Sequence, residues 1–212
     1  MLRDLSKNKK DYSLAELDVL DVHENPIKQF INWLDFADDS GVDDSNAMIL
    51  STVGLDSKPS SRVVLLKGVT EQGLIFYTNY TSKKAKQITG NPNVSIVFFW
   101  SKLERQVRIE GQIEKASPEI SDNYFVTRPI DSQIGAIISP QSQIIPNREY
   151  LIQRKEELEK SLHHKNLVRP EYWGGFIVKP NLFEFWQGRE NRLSDRIQYR
   201  FTEKWIIERL AP

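Results

Sequence analysis

The chain has 212 residues, and its 29 lysines and arginines balance 29 aspartates and glutamates. This length predicts one domain or at most two small ones, and the zero net charge argues against a large basic face for nucleic acid. Because the sequence contains no cysteine, disulfides, thiolate catalysis, iron–sulfur clusters and cysteine zinc sites are excluded. The three histidines offer no persuasive metal site or catalytic triad, so no metal is expected and redox chemistry would need a bound cofactor.

The N-terminal part of the chain is expected to be a polar, mobile arm over residues 1–20, followed by a single domain over 21–212. Residues 1–12 lack the apolar core of a secretory signal, and no apolar run approaches the ~18 residues of a membrane span. A cytoplasmic protein without membrane contact is therefore expected. The first helix is predicted to begin at Asn25 and Pro26, which supply an N-cap and a first-turn proline.

The middle of the chain is predicted to be rich in strands, because apolar and β-branched runs alternate with turn residues. A short helix over Ser82–Thr89, closed by Gly90, interrupts them. The strands are predicted at Ala47–Val53, Arg62–Lys67, Leu74–Thr78, Val94–Trp100 and Arg105–Glu114. In the last of these, apolar residues at 107, 109 and 113 alternate with polar ones, which predicts one buried face and one polar face.

The second half of the chain is predicted to contain two helices and then four strands. One helix opens at Ser117-Pro118, and a charged one covers Asn147–His163. The strands are predicted at Phe176–Lys179, Leu182–Trp186, Ile197–Phe201 and Trp205–Leu210. Consecutive strands with inserted helices predict a mainly antiparallel sheet closed into a barrel.

Side chains would have to bind any phosphate, because neither common glycine-rich phosphate motif occurs. Guanidinium, ammonium and hydroxyl groups are the donors that phosphates prefer, and a helix start adds free amides. Three sets offer them: a strand from Arg62 to Lys67, a helix start at Ser82-Lys83-Lys84, and the group Tyr124, Arg128 and Ser132. Taken singly, these sets are more typical of a strand with charged ends, a solvated helix start and a tyrosine in core packing.

A further cluster follows the strand that ends at Trp186. It contains Arg189, Arg192 and Arg196. Arginine has a planar, permanently charged fork that suits phosphates and lies flat on aromatic rings. The cluster therefore indicates a pocket for a flat anionic molecule, although an isolated segment of this kind is also typical of a solvated turn.

Ten motifs, in order from Arg62 to the end of the chain, resemble the pyridoxine/pyridoxamine 5′-phosphate oxidase family, and the match is collinear from about residue 9. They are Arg62-Val-Val-Leu-Leu-Lys67, Phe76-Tyr-Thr-Asn79, Leu103-Glu-Arg-Gln-Val107, Tyr124-Phe-x-x-Arg-Pro129, Ser132-Gln-Ile-Gly-Ala136, Gln141-Ser142, Trp173-Gly-Gly175, Glu184-Phe-Trp-Gln-Gly188, Arg192-Leu193 and Arg209-Leu-Ala-Pro212. The resemblance implies a homodimeric split β-barrel with noncovalently bound FMN at the subunit interface. It also implies oxidation of pyridoxamine and pyridoxine 5′-phosphate to pyridoxal 5′-phosphate, with O2 reduced to H2O2.

The same resemblance implies two sets of site residues. The FMN set comprises Arg62, Lys67, Tyr77, Thr78, Lys83, Lys84, Gln106, Gln141, Ser142, Trp186 and Arg196, of which the last two are expected from the partner subunit. The substrate set comprises Lys67, Tyr124, Arg128, Ser132, Arg192, Ser194, Lys9 and Tyr12. Within it, the first four bind the 5′-phosphate, and Arg192 lies against the pyridine ring as the catalytic residue.

Two positions depart from the pattern of the family. Ser194 stands where the family usually has histidine, and Lys9-x-x-Tyr12 stands where arginine often begins the motif. Serine still donates a hydrogen bond but cannot become cationic. We hypothesise that oxidase activity survives with altered substrate handling. The alternatives are a related split-barrel flavin oxidase with another substrate, such as a phenazine-pathway enzyme, and a catalytically weakened binder of flavin or pyridoxal phosphate.

Overall fold

The computed structural model describes residue 4, residues 11–161 and residues 167–212. The chain forms two compact units, each assembled from separate stretches. The first comprises Met1–Ile49, Ser95–Glu110 and Pro180–Pro212, and the second comprises Leu50–Val94 and Gly111–Lys179. The division into an arm and a single domain stays a prediction. No helix in the described ranges is long and apolar enough to cross a membrane.

The described residues contain nine strands. They are β1 (Ala47–Val53), β2 (Pro59–Leu65), β3 (Gly68–Thr70), β4 (Gly73–Asn79), β5 (Asn93–Trp100), β6 (Arg105–Lys115), β7 (Trp173–Gln187), β8 (Asp195–Phe201) and β9 (Trp205–Leu210). Seven of them are hydrogen-bonded in the order β2-β1-β5-β6-β7-β4-β3, while β8 pairs with β7 and β9. The β3–β4, β4–β7, β7–β8 and β8–β9 pairs are antiparallel.

Five α-helices accompany the strands in the described part of the chain. They are α1 (Pro26–Asp39), α2 (Lys83–Gly90), α3 (Pro118–Thr127), α4 (Ile130–Ile138) and α5 (Glu149–Ser161). The predicted start of α1 is confirmed, because the Asn25 side chain accepts hydrogen bonds from the backbone of Ile27 and Lys28. Helix α2 begins after Ser82, whose hydroxyl accepts from Ala85 N, and Gly90 is its last residue.

Most strand predictions are confirmed to within a few residues, and β1 has the predicted bounds. The strand predicted at Arg62–Lys67 lies earlier, so Arg62 is inside β2 and Lys67 lies beyond its end. The two strands predicted on either side of Pro180 are wrong, because β7 is continuous. β7 pairs with β4 up to Val178 and with β8 from Leu182, so Pro180 lies where neither register requires its missing N–H.

Helix α4 and the short strand β3 were not predicted. Pro129 indicated only a turn, but it is the N-cap of α4. The predicted faces of β6 are confirmed: Val107, Ile109 and Ile113 are buried, while the polar residues between them are half-buried or exposed.

Each unit has its own aromatic core. In the first unit, Phe30 and Trp33 of α1 lie with their ring centroids 5.0 Å from Phe98 and 5.2 Å from Phe185. In the second, Phe176 lies 5.8 Å from Phe76 and 5.2 Å from Tyr80. These cores fix the strands from which the polar side chains described next project.

Candidate functional site

The second unit contains a cationic cluster, the anion site, formed by Arg62, Thr78, Lys84 and Gln141. β2, β4 and α2 position the first three, and Gln141 follows α4. Lys84 Nζ donates to Thr78 Oγ1 at 3.0 Å and to Gln141 Oε1 at 2.9 Å. Thr78 Oγ1 in turn donates to Gln141 Oε1 at 2.9 Å. The cluster thus joins residues from three elements through neutral oxygens.

Arg62 is bound in the same way. Its Nη1 donates to Leu50 O at 2.9 Å and to Thr52 Oγ1 at 2.7 Å, and its Nη2 donates to Gln87 Oε1 at 3.4 Å. Among the described residues, neither Arg62 nor Lys84 forms an ion pair. Two partly buried cations without a carboxylate leave positive charge that an anion would neutralise.

Burial affects the titration of both cations. Only 9% of Lys84 is exposed. Desolvation, and then repulsion from Arg62, lowers the pKa of Lys84 to about 8. Desolvation also lowers the pKa of Arg62. A bound phosphate would reverse both effects, because a nearby anion favours the charged form of lysine and arginine.

A cavity of about 530 Å³ in the same unit has a lining that includes Lys83, Ser142 and Gln87 and also the carboxylate of Asp56. Gln87 connects this cavity to the anion site, because its Oε1 accepts from Thr52 as well as from Arg62. Lys83 is exposed at the start of α2. Lys67 is also exposed, and among the described residues no hydrogen bond joins its side chain to the anion site.

A second group, the aromatic cluster, consists of Tyr77, Tyr124, Trp173 and Arg128. The rings are nearly parallel, with centroids of Tyr77 and Tyr124 3.8 Å apart at 13°. Trp173 lies 5.7 Å from Tyr77 and 6.3 Å from Tyr124. Gly175 permits this approach, because a Cβ there would lie only 3.0 Å from the Tyr77 ring. The packing of this cluster gives a structural reason for Trp173 and Gly175 in the Trp173-Gly-Gly175 motif.

Arg128 is the charged member of the aromatic cluster. Its guanidinium carbon lies 4.6 Å from the centre of the Trp173 ring. Within the described ranges, its Nη1 is the one buried side-chain nitrogen or oxygen that has no hydrogen-bond partner. Desolvation lowers the pKa of Arg128 and raises the pKa of Tyr124. A buried donor without an acceptor indicates that an oxygen-bearing ligand belongs here.

Ser132 lies close to this group along the chain. It is half-buried in the first turn of α4, and its backbone nitrogen donates to Pro129 O at 2.9 Å. The side chain of Gln133 donates to the carbonyl of Arg128 at 2.8 Å. The α3–α4 junction is therefore fixed by hydrogen bonds, while the role of the Ser132 hydroxyl stays a prediction.

The first unit contains the remaining predicted residues. Tyr12 contacts Trp186 edge to face, with centroids 5.6 Å apart. The backbone nitrogens of Ser13 and Leu14 donate to Glu104 Oε2 at 2.9 and 3.2 Å. This part of the N-terminal segment is therefore fixed next to Trp186.

Arg196 is anchored by a buried carboxylate. Its Nε donates to Glu184 Oε1 at 2.9 Å, and its Nη1 donates to Ala211 O at 2.8 Å. The other oxygen of Glu184 accepts from Arg108 Nη1 at 2.9 Å. Neither of these two hydrogen bonds of Arg196 uses Nη2. The bonds to Glu184 and Ala211 therefore fix the direction in which that nitrogen points.

The other predicted residues of this unit are not joined to one another by any hydrogen bond among described residues. Arg192 is exposed on a tight turn with φ 63°, and Ser194 is 8% exposed. Gln106 is half-buried on the polar face of β6. Lys9 lies outside the described residues. Thr52, Gln87 and Glu184 were not predicted as members or neighbours of the site, since single polar residues in strands and helices carry no recognisable signal.

Two cationic groups without acidic partners among the described residues, one of them with its guanidinium carbon over an aromatic ring, are the arrangement expected of a protein that binds anionic ligands through side chains. Comparison with known families identifies the class further. Residues 37–161 match the family described as pyridoxamine 5′-phosphate oxidase, and residues 173–212 match the pyridoxine 5′-phosphate oxidase C-terminal dimerisation region. The chain belongs to the pyridoxine/pyridoxamine 5′-phosphate oxidase family.

Similar proteins match along the whole chain. The pyridoxine/pyridoxamine 5′-phosphate oxidase of Flavobacterium psychrophilum is 46% identical over 214 residues, covering 100% of both chains. That of Flavobacterium johnsoniae is 49% identical over 213 residues, covering 99% of this chain and 100% of its own. PhzG from Burkholderia lata, solved with tetrahydrophenazine-1-carboxylic acid, has a TM-score of 0.89 at 27% identity and covers 96% of this chain and 100% of its own.

The fold is also that of a more distant structure. A pyridoxamine 5′-phosphate oxidase-related, FMN-binding protein from Nostoc punctiforme has a TM-score of 0.71 at 18% identity, covering 90% of this chain and 100% of its own. The predicted mainly antiparallel split barrel with inserted helices is therefore confirmed, as is the predicted family.

Proposed function

We propose that this chain is an FMN-dependent oxidase that converts pyridoxamine and pyridoxine 5′-phosphate to pyridoxal 5′-phosphate and works as a homodimer. One structural observation carries the proposal: the second unit has two cationic groups, each partly buried and each lacking a carboxylate partner among the described residues. FMN and the substrate each have one phosphate, so two such groups are what the reaction needs. Identity of 46–49% to curated oxidases over the whole chain supports the same reaction.

The residues of the anion site fit an FMN phosphate. Arg62 and Lys84 would neutralise it, with Lys83, Gln141 and Ser142 adding donors, because these groups carry positive charge or N–H and O–H bonds. Tyr77 and Thr78 would line the flavin cleft, and Gln106 would donate to the ring system. Trp186 and Arg196 would complete the site from the partner subunit, in keeping with the match to a dimerisation region.

The aromatic cluster fits the phosphate of the substrate. Arg128 supplies a buried donor that has no acceptor, and Tyr124 lies beside it with a hydroxyl. Ser132 and Lys67 would add a hydroxyl and a second cation. On the ring side, Arg192 would lie against the pyridine, with Ser194 and the segment of Lys9 and Tyr12 nearby.

Bound FMN would supply the redox chemistry, a two-electron oxidation of the substrate at C4′ coupled to reduction of O2 to H2O2, and the amine substrate would also consume water and release ammonia. The side chains of this protein bind and orient. The guanidinium of Arg192 would contribute charge and position. Fixing both reactants in one site is worth roughly 7–11 kcal/mol by proximity and orientation.

The test is to purify the protein, measure bound flavin by its visible absorbance, and add each substrate without oxygen. We expect pyridoxamine and pyridoxine 5′-phosphate to bleach the flavin, and air to restore it with formation of peroxide. Unphosphorylated pyridoxamine is the matched control and is expected to react much more slowly. Bound flavin that no phosphorylated substrate bleaches would contradict the proposal.

Two other outcomes would identify the alternatives. The likeness to PhzG makes a reduced phenazine precursor the appropriate competing substrate. Faster bleaching by that compound than by pyridoxamine 5′-phosphate would identify an oxidase with another substrate. Tight binding of both FMN and pyridoxal 5′-phosphate without any bleaching would identify a binder that has lost catalysis.

A further inference from the structure

Trp173 is a buried aromatic residue to which the proposed function gives no role, yet it lies against a proposed substrate residue. It is the first residue of β7 and is 6% exposed. The guanidinium carbon of Arg128 lies 4.6 Å from the centre of its ring. Phe125 also contacts the indole, with centroids 5.4 Å apart.

The contact between Arg128 and Trp173 leaves the donors of the guanidinium available. A guanidinium stacked on a ring uses its flat face for the contact, while its N–H bonds lie in its own plane and point outward. Nη1 of Arg128 is buried and has no acceptor. The indole therefore restricts the plane of the guanidinium without satisfying the nitrogen that a phosphate oxygen would meet.

Trp173 is itself firmly fixed. Its backbone nitrogen donates to Pro170 O at 3.0 Å, and its carbonyl accepts from Arg169 Nη1 at 2.7 Å. Nε of the same arginine donates to Asp122 Oδ1 on α3 at 2.6 Å. Since α3 also ends directly before Arg128, the same helix anchors the backbones of Trp173 and Arg128.

We propose that Trp173 is a positioning residue for recognition of the substrate phosphate. Its ring fixes the plane of the Arg128 guanidinium, so that Nη1 has the orientation needed for the phosphate before the substrate binds. The inference rests on the proposed function, in which Arg128 binds the substrate. It adds that the aromatic ring acts through Arg128 and does not need to touch the substrate.

The first test uses Trp173→Leu, which removes the aromatic face, in the FMN-loaded enzyme. We expect KM for pyridoxamine 5′-phosphate to rise about 3- to 30-fold, as a lost cation–π contact predicts, with little change in kcat. The dissociation constant of pyridoxal 5′-phosphate, measured by equilibrium dialysis, is expected to rise by the same factor. The kcat/KM of unphosphorylated pyridoxamine is expected to stay close to its original value.

Two control variants separate positioning from packing. Trp173→Phe keeps an aromatic face and is expected to retain most of the phosphate affinity. Trp100→Phe makes the same substitution at a tryptophan that is 2% exposed and lies 5.9 Å from Phe98, away from the proposed ligand residues. It is expected to lower the thermal midpoint without changing either constant for phosphorylated ligands.

A double-mutant cycle with Arg128→Lys tests whether Trp173 affects phosphate binding through Arg128. Lysine keeps the charge but loses the plane, so Trp173→Leu is expected to have little further effect in that background. Full additivity of the two substitutions would overturn the inference, and so would equal losses for phosphorylated and unphosphorylated substrates. If the unchanged enzyme fails to oxidise pyridoxamine 5′-phosphate at all, the proposed function itself is wrong.

Discussion

At the scale of single residues, burial and the charge of a bound ligand shift the pKa of Lys84 in opposite directions. Its pKa of about 8 in the ligand-free protein means that the ammonium loses its proton between pH 7 and 9. The phosphate of FMN keeps its charge over this range, because its second pKa is about 6. We therefore expect the dissociation constant of FMN to rise with pH above 8, by up to about tenfold per pH unit.

The measurement is a fluorescence titration of ligand-free protein with FMN at several pH values. Lys84→Arg keeps a charge throughout, so its FMN affinity is expected to show no such dependence, while Lys84→Met is expected to bind weakly at every pH.

The folding stability of the ligand-free protein depends on pH in the opposite direction. Because burial lowers the pKa from 10.5, the unfolded chain binds more protons above pH 8, and the ligand-free protein gains stability as pH rises from 8 toward 10.5. An FMN affinity that is flat from pH 7 to 9 would contradict this account.

Ser194 supplies a second prediction. We expect Ser194→His to raise kcat/KM for pyridoxamine 5′-phosphate about three- to tenfold, the worth of one added hydrogen bond. An imidazole would also give the rate a new dependence on pH near ~6.5 that serine cannot show. Steady-state kinetics from pH 5.5 to 8 would detect both effects, with Ser194→Ala as the control for loss of the hydroxyl. Unchanged kinetics in Ser194→His would mean that the departure from the family pattern is neutral.

The side chains proposed to bind phosphate could be selected from the sequence, but their surroundings could not be predicted from it. Ser82 is a recognisable N-cap, and this fixed Lys83 and Lys84 at the start of α2. One acceptor of Lys84 is Gln141, which lies 57 residues away along the chain. Only the folded chain brings such partners together, so the absence of a carboxylate around two cations could not be derived beforehand.

At the scale of elements, the sequence predicted strands well where apolar residues alternate and less well where pairing partners change. The sequence predicted separate strands on either side of Pro180, and proline can interrupt the hydrogen bonding of a strand. In β7 the break does not occur, since the partner strand changes from β4 to β8 around that residue. Helix α4 was missed for a related reason: Pro129 suits both a turn and a helix N-terminus.

The β7–β8 pair contains the buried carboxylate of Glu184, and its removal is the third prediction. We expect Glu184→Gln to lower the free energy of unfolding by about 2–3 kcal/mol, because two arginines lose their shared counter-charge. This is less than for a deeply buried pair, since the side chains of Arg108 and Arg196 are 37% and 26% exposed. Urea denaturation of the ligand-free protein measures the change.

Glu110 provides the matched control for that experiment. It accepts from the same Arg108 at 3.1 Å, but its side chain is 44% exposed. We expect Glu110→Gln to cost less than about 1 kcal/mol, as exposed ion pairs usually do. Equal losses in the two variants would mean that burial of Glu184 adds nothing to the stability of the β7–β8 pair.

At the scale of the whole molecule, the open question concerns which subunit supplies each part of the flavin site. The proposed FMN residues divide between the two units of the chain: Arg62 and Lys84 belong to the second, while Trp186 and Arg196 belong to the first. In the proposed homodimer, each flavin would be bound by Arg62 of one chain and Arg196 of the other. A sequence cannot decide this, because both residues occur in every chain.

Complementation between two inactive variants tests the arrangement. Arg62→Ala and Arg196→Ala homodimers would each have a defect in both sites. After mixing under conditions that allow subunits to exchange, half of the dimers would contain one of each chain. In such a dimer both defects fall in one site and the other site is intact, so we expect about a quarter of the original activity and FMN content to return.

The control is a mixture of Arg62→Ala with Lys84→Ala. Both of these residues belong to the same unit of one chain, and their variants place one defect in each site of a mixed dimer. No recovery is expected there, because neither site is intact. If Arg62→Ala and Arg196→Ala also fail to recover although exchange is demonstrated by mass spectrometry, both arginines act on the flavin from the same chain, and the proposed sharing of the site between subunits is wrong.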